Sequence, residues 1–185
     1  MRVGFLGPEG TFTHETAEMA AERMGWTDVR FVPYPTSVAA VEAAARGEVD
    51  FAVVADATSL NGSMPEVTAA IDATGVRRLD HIQRTCHYHL LALPGATLSG
   101  LTGVYAHAKA AGDCRDHLVR LAPGVPHLAT PSTAAGVRRV AEEGRRDLAA
   151  VGTAAAARRY GLAPLAENIE DDPDNWTRWV IVART

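Results

Sequence analysis

The chain is almost without lysine. Lys109 is the only one in 185 residues, and arginine carries nearly all the basic charge. No block of basic residues occurs, and the formal net charge is -4. That balance argues against nucleic acid and anionic membranes as main partners. Cysteine is scarce too. Cys86 and Cys114 fit neither a CxxC motif nor a zinc-ligand spacing. No apolar run approaches the length of a membrane span. Met1–Arg2–Val3 leads straight into a strand-like segment rather than a secretory signal. These absences together predict a reduced, cytoplasmic protein. What the chain does have is a hydrophobic share of 47%, enough for a sizeable core in one domain or two small lobes.

Short apolar runs alternate with helical patterns. Strands are predicted at Val3–Leu6, Val29–Tyr34 and Phe51–Val54, with helices at Thr13–Met24, Ser37–Arg46 and Met64–Ala73 between and after them. Gly25, Gly47 and Gly75 stand where those helices should stop. Leu79–Arg84 and Tyr88–Leu93 read as long strands able to cross between lobes. A second set repeats the alternation. Strands fall at Gly103–Tyr105, Pro126–Ala129, Leu148–Val151 and Pro164–Ala166, and helices at Lys109–Leu121, Ser132–Glu143 and Thr153–Tyr160. One strand, Val180–Ala183, is left over. The pattern predicts an α/β fold of two lobes with mainly parallel sheets and a cleft between them. Lobe one takes residues 1–78 and 170–185, and lobe two residues 79–169.

The densest polar feature is Asn175–Trp176–Thr177–Arg178–Trp179, which sets a hydroxyl beside a guanidinium. Acids crowd the segment before it: Glu167, Glu170, Asp171, Asp172 and Asp174. Adjacent strand residues point to opposite faces, so Thr177 and Arg178 serve one site only where the strand begins and its backbone is irregular. At the other end of the chain, Gly7–Pro8–Glu9–Gly10–Thr11 is a tight turn before a helix. That turn and the one at Ser132–Thr133 offer backbone N–H groups at helix starts, which suit anions.

These segments resemble the prephenate dehydratase family over nearly the whole chain. Gly7 to Phe12 resembles that family's opening signature. Val49 to Val54 with Ser59–Leu60–Asn61–Gly62–Ser63 resembles its second, and Val104–Tyr105–Ala106–His107 with Cys114–Arg115 its third. Pro131 to Ala135, Tyr160–Gly161–Leu162 and Ala166 to Asn175 also match, ahead of Thr177–Arg178, with Trp179 where the family usually has Phe. The resemblance implies a fold like type II periplasmic binding proteins, a small-molecule dicarboxylate substrate, a homodimer and no metal, nucleotide or redox cofactor. It also implies a catalytic region without the phenylalanine-binding regulatory domain that usually follows. The implied reaction removes the ring carboxylate of prephenate as carbon dioxide and its 4-hydroxyl as water. Thr177 would donate a hydrogen bond to the departing hydroxyl, by polarisation or through a water. Arg178 would anchor a carboxylate or brace the acidic loop. Gly10, Thr11, Thr58, Ser59, His107, Lys109, Ser132 and Thr133 would bind substrate.

Three polar positions depart from the family pattern, at Ala57, Thr58 and Lys109. The family's Pro-x-Glu-Asn-Ser is Ala55–Asp56–Ala57–Thr58–Ser59 here, and its His-Pro-Gln is His107–Ala108–Lys109. Lys109 is expected to attract an anion, either a substrate carboxylate or a nearby acid such as Asp56. Loss of the Glu suits a related group, the non-aromatising prephenate decarboxylases. Retention of Thr177–Arg178 suits a dehydratase, and that reading is preferred. A non-catalytic carboxylate-binding module is the alternative from another class. His87 and His89 share a strand face but have no third ligand at fitting spacing, so they read as structural. Ser132 reads equally as a plain helix cap.

Overall fold

The computed structural model describes residues 1–59 and 62–185. Leu60 and Asn61, part of the second matching segment, lie outside the described residues. In chain order the elements are β1 (Arg2–Leu6), α1 (Phe12–Arg23), β2 (Arg30–Tyr34), α2 (Ser37–Ala45), β3 (Phe51–Thr58), β4 (Gly62–Ser63), α3 (Pro65–Thr74) and β5 (Arg77–Thr85). Then come β6 (His89–Ala92), β7 (Gly103–Ala106), α4 (Ala108–Asp113), α5 (Arg115–Leu121), β8 (His127–Ala129), α6 (Thr133–Glu143), β9 (Leu148–Gly152), α7 (Ala154–Tyr160), β10 (Ala163–Ala166) and β11 (Trp176–Ala183). Two units result. One is Met1–Cys86 with Asp174–Thr185, the other His87–Pro173.

The first unit holds a sheet in the order β2-β1-β3-β11-β5, with the short β4 beside β3. β1 runs parallel to β2 and β3, while β11 is antiparallel to both β3 and β5. Alternation along β11 gives each face its own core. Val180 and Val182 pack with Val54, Val41, Val67 and Ile71 on the α2 and α3 side. Trp179 and Ile181 pack with Phe5, Val53, Ala17 and Ala20 on the α1 side. Burying each such side chain contributes about 1.5–3 kcal/mol. One irregularity matters later. Arg178 lies opposite Ala57 but Trp179 lies opposite Ala55, so Asp56 is the extra residue of a β-bulge.

The second unit holds a sheet in the order β10-β6-β9-β7-β8. β7 is parallel to β8 and β9, and β6 is antiparallel to β9 and β10. Leu91, Tyr105, Leu148 and Ala150 of the sheet meet Val137 and Val140 of α6 and Ala156 of α7. α6 starts on its cap Ser132 and ends on Gly144 in the left-handed conformation, φ 65°. It comes down directly onto the β9 backbone. A Cβ at Gly152 would stand 2.3 Å from Val137 Cγ2.

The two-unit α/β architecture agrees with the alternation in the sequence, but several details differ. The first boundary falls at Cys86 rather than at 78, because β5 pairs along its whole length with β11. The second falls at 173/174, because the acidic segment to Pro173 bonds within the second unit. The sheets are mixed, since β11 and β6 each run against their neighbours. The helix predicted over Lys109–Leu121 breaks at Cys114, where φ -119° and ψ 16° are not helical. β11 begins at Trp176, four residues before the predicted start. Among the described residues no helix is long and apolar enough to cross a membrane.

Candidate functional site

Ligands of open α/β sheets gather outside the carboxyl ends of the parallel strands. In the first unit that end comprises the turn after β1, the end of β3 at Thr58 and Ser59, and the entry to β11. The Ser59 N–H donates to the Trp176 carbonyl at 2.9 Å, and the Trp176 N–H to Ser59 Oγ at 3.2 Å. This pattern makes Thr58 and Thr177 a directly opposed pair of the narrow kind, with side chains close together. Both are buried. The Cys86 thiol, also buried, donates to Thr177 Oγ1 at 3.4 Å. That thiol is the one hydrogen-bond partner of the Thr177 hydroxyl among the described residues. Two positions earlier Asn175 is only 2% exposed, its carbonyl accepts from the Cys86 N–H at 2.8 Å, and neither its Oδ1 nor its Nδ2 has a hydrogen-bond partner among the described residues. Buried polar atoms are almost always paired, so a buried amide without a partner among the described residues, two positions before a buried hydroxyl, marks a place suited to something polar.

The turn after β1 spends its groups internally. Thr11 caps α1, accepting from the His14 N–H at 3.3 Å and donating to the Leu6 carbonyl at 3.2 Å. The Gly10 N–H, predicted to face an anion, donates to His14 Nδ1 at 3.1 Å. That imidazole is buried against Phe5, with ring centroids 4.7 Å apart. Burial pushes its pKa down, against a smaller upward pull from Glu18 and Glu15, and so favours the neutral ring that can accept at Nδ1.

Arg178 does not share the face of Thr177. The strand is already regular at this point, and alternation sends the guanidinium to the Val180 side. There it forms a two-pronged pair with Asp56, Nε to Oδ1 and Nη2 to Oδ2, both at 2.9 Å. It lines a recess of about 370 Å³ with Arg78, Asp80 and His81. The acidic segment has other partners. Glu170 meets His87 Nδ1 at 2.7 Å and the Tyr88 N–H at 2.9 Å, and Asp171 accepts from the N–H groups of Asp116 and His117 at the start of α5. The expectation that Arg178 braces those acids is therefore corrected.

In the second unit the carboxyl ends of β7 and β8 carry His107, Lys109, Ser132 and Thr133. His107 caps α4, its Nδ1 accepting from the Lys109 N–H at 3.3 Å. Lys109 Nζ binds Asp113 Oδ2 at 2.6 Å, one helical turn on, and not Asp56. Asp113 also accepts from the Tyr88 hydroxyl at 3.1 Å. Ser132 Oγ accepts from the Ala135 N–H at 3.1 Å as an ordinary helix cap, and Thr133 is the first residue of α6. His89 accepts the Asn168 N–H at 3.3 Å, and no cluster of metal-ligating side chains exists among the described residues. Sequence reasoning missed Cys86, Asn175 and Asp113. Only Asp113 had a readable signal, the i, i+4 spacing from Lys109.

The sequence profile of the prephenate dehydratase family matches residues 3–185. The chain belongs to the prephenate dehydratase family. It is 31% identical to the prephenate dehydratase of Bacillus subtilis over 99% of its own length and 64% of that protein's. It is 32% identical to arogenate dehydratase 1 of Petunia hybrida over its full length and 42% of the relative. The crystal structure of prephenate dehydratase from Arthrobacter aurescens, in complex with L-Phe, superposes with a TM-score of 0.84 at 31% identity, covering all of this chain and 60% of that one. The chain thus spans less than two thirds of each of these relatives. A periplasmic substrate-binding protein of an ABC transporter from Coxiella burnetii, 17% identical with a TM-score of 0.52 over 99% of this chain and 84% of its own, shares the fold.

Family membership gives the bulge in β3 a meaning. Ala57, set against a Glu in the motif resemblance above, is the direct cross-strand partner of Arg178. A carboxylate there would stand beside the guanidinium. In this member the bulged residue Asp56 supplies it instead.

Proposed function

We propose that this chain is a lyase that needs no cofactor and converts prephenate, or its amino analogue arogenate, to an aromatic product by losing carbon dioxide and water. The observation that carries the reading is the buried Thr177 hydroxyl, whose one hydrogen-bond partner among the described residues is the Cys86 thiol. Loss of the ring carboxylate pushes electrons toward the carbon bearing the hydroxyl, and the ring becomes aromatic as that hydroxyl leaves. A threonine is too weak an acid to protonate hydroxide outright. It stabilises the growing negative charge by hydrogen bonding, directly or through a water, in a site where few competing donors act. The neighbouring Asn175 amide adds a donor and an acceptor on the same segment. In this reading Thr58 and Ser59, at the end of β3, bind substrate beside Thr177. Arg178 holds β3 and β11 in register through Asp56 rather than touching the reacting atoms.

The test is incubation with prephenate and, separately, with arogenate, followed by ultraviolet and mass analysis. Phenylpyruvate or phenylalanine is the expected product. A dihydro product that keeps its hydroxyl would move the chain to non-aromatising decarboxylation. Failure to turn over either compound would favour a carboxylate-binding role.

A further inference from the structure

We propose that Cys86 is a positioning residue that sets the direction of the Thr177 hydroxyl proton. This rests on the reading of Thr177 as the donor to the leaving hydroxyl. A threonine hydroxyl has one proton and two lone pairs. Left alone in a buried place, it would turn its proton to the nearest acceptor, and a donor so committed is useless to a substrate. The thiol lies 3.4 Å from Thr177 Oγ1. In this proposal its S–H is the donor, so one lone pair of the hydroxyl is filled and the hydroxyl proton is turned away from the sulfur. The backbone fixes the geometry. Cys86 N–H bonds the Asn175 carbonyl at 2.8 Å, extending the β5–β11 ladder by one step past Thr85 and Trp176. The sulfur is thereby held diagonally across from Thr177 on the α1 face, where Cys86 also packs against Trp179 and Ile82. Asn175, whose amide is unpartnered among the described residues, sits on the segment that this ladder step locks. Cys86 is 3% exposed, so it neither meets solvent nor serves as a nucleophile in this arrangement.

Two measurements test the proposal independently. The first needs no substrate. In a Cys114→Ala background the infrared S–H stretch comes from Cys86 alone, and it should shift to higher frequency when Thr177→Val removes the acceptor. An unchanged stretch would overturn the proposal whatever the enzyme does. The second is kinetic. Cys86→Ala should lower kcat by about five- to tenfold, the size of one lost hydrogen bond, with KM within about twofold. Cys86→Ser, whose hydroxyl can donate in the same place, should recover much of that loss. A cysteine that merely packs predicts the reverse order, because a buried serine is less stable than alanine there. Equal kcat for Cys86→Ala and the unmodified protein, or Ser below Ala in kcat, would overturn the positioning role. If the unmodified protein turns over neither prephenate nor arogenate, the proposed function fails while the infrared result still decides the Cys86–Thr177 contact.

Discussion

At the scale of single residues, two neighbours in the sequence have parted company. Thr177 and Arg178 read together as a catalytic pair, yet the strand sends one to each face. Their variants should behave differently. Thr177→Ala should lower turnover of the accepted substrate by about 10²–10⁴-fold, the range for a positioned proton donor, with an unchanged unfolding midpoint, and Thr177→Ser should keep much of the activity. Steady-state kinetics beside a thermal melt checks this. Arg178→Gln and Asp56→Asn should each cost about 1 kcal/mol of stability, since the guanidinium is 40% exposed and solvent weakens the pair. The double variant should cost little more than either single one. Urea unfolding of the four proteins measures the coupling, and full additivity would refute the pairing. None of this was legible in the sequence. The Asp56–Arg178 and Cys86–Thr177 contacts join residues 122 and 91 positions apart, and only strand register brings them together. The Lys109–Asp113 contact, at i, i+4 on one helix, is of the kind that sequence spacing alone reveals.

At the scale of elements, local chemistry was a good guide wherever it acted within one turn. Thr36, Ser132 and Thr153 cap α2, α6 and α7, and Gly75, Gly144 and Gly161 end α3, α6 and α7 in the left-handed conformation; of these, the cap at Ser132 and the stop at Gly75 are read from the sequence. The misjudged elements depend on long-range partners. β11 begins early because β3 and β5 flank Trp176–Trp179, although its alternation there is broken by polar residues. The start of α1 yields a pH prediction. Its first turn depends on a neutral His14 accepting the Gly10 N–H, and burial holds the folded pKa below the ordinary 6.5. Below 6.5 the unfolded chain takes up this proton first, so stability rises with pH in that window. The contribution is complete above 6.5 and is lost as pH falls through the folded value. The unfolding midpoint should therefore drop on acidification between neutrality and pH 5, and His14→Asn should flatten that slope while lowering stability at pH 7. Melts across pH for both proteins decide it.

At the scale of the whole molecule, the two units differ in kind. His87–Pro173 is one continuous stretch with a five-stranded sheet and its own core. The other unit is discontinuous, and its sheet is incomplete without the final strand. A fragment of residues 87–173 should fold alone, showing a cooperative thermal transition by circular dichroism. A fragment of residues 1–86 should not, because β5 is joined to the rest of its sheet only through β11. Adding β11 through a short linker should restore cooperativity. Equal behaviour of both fragments would refute the asymmetry. The repeated alternation of strands and helices foretold two units. The sequence reading assigns the last strand to the first lobe, but nothing in Val180–Ala183 says that it fills the gap between β3 and β5.

That last strand also sets a timetable for the nascent chain. β3 leaves the ribosome with one edge open, and its neighbour β11 is made only after more than a hundred further residues. At ordinary rates of synthesis the delay is on the order of ten seconds. Val53 and Val54 then have no cross-strand cover on that side, and an unpaired apolar edge invites pairing with other chains. The inserted unit has time to fold while the first one waits. A trigger-factor-like holdase should therefore engage nascent chains halted between residues 90 and 170, and release them once residue 183 has cleared the exit tunnel.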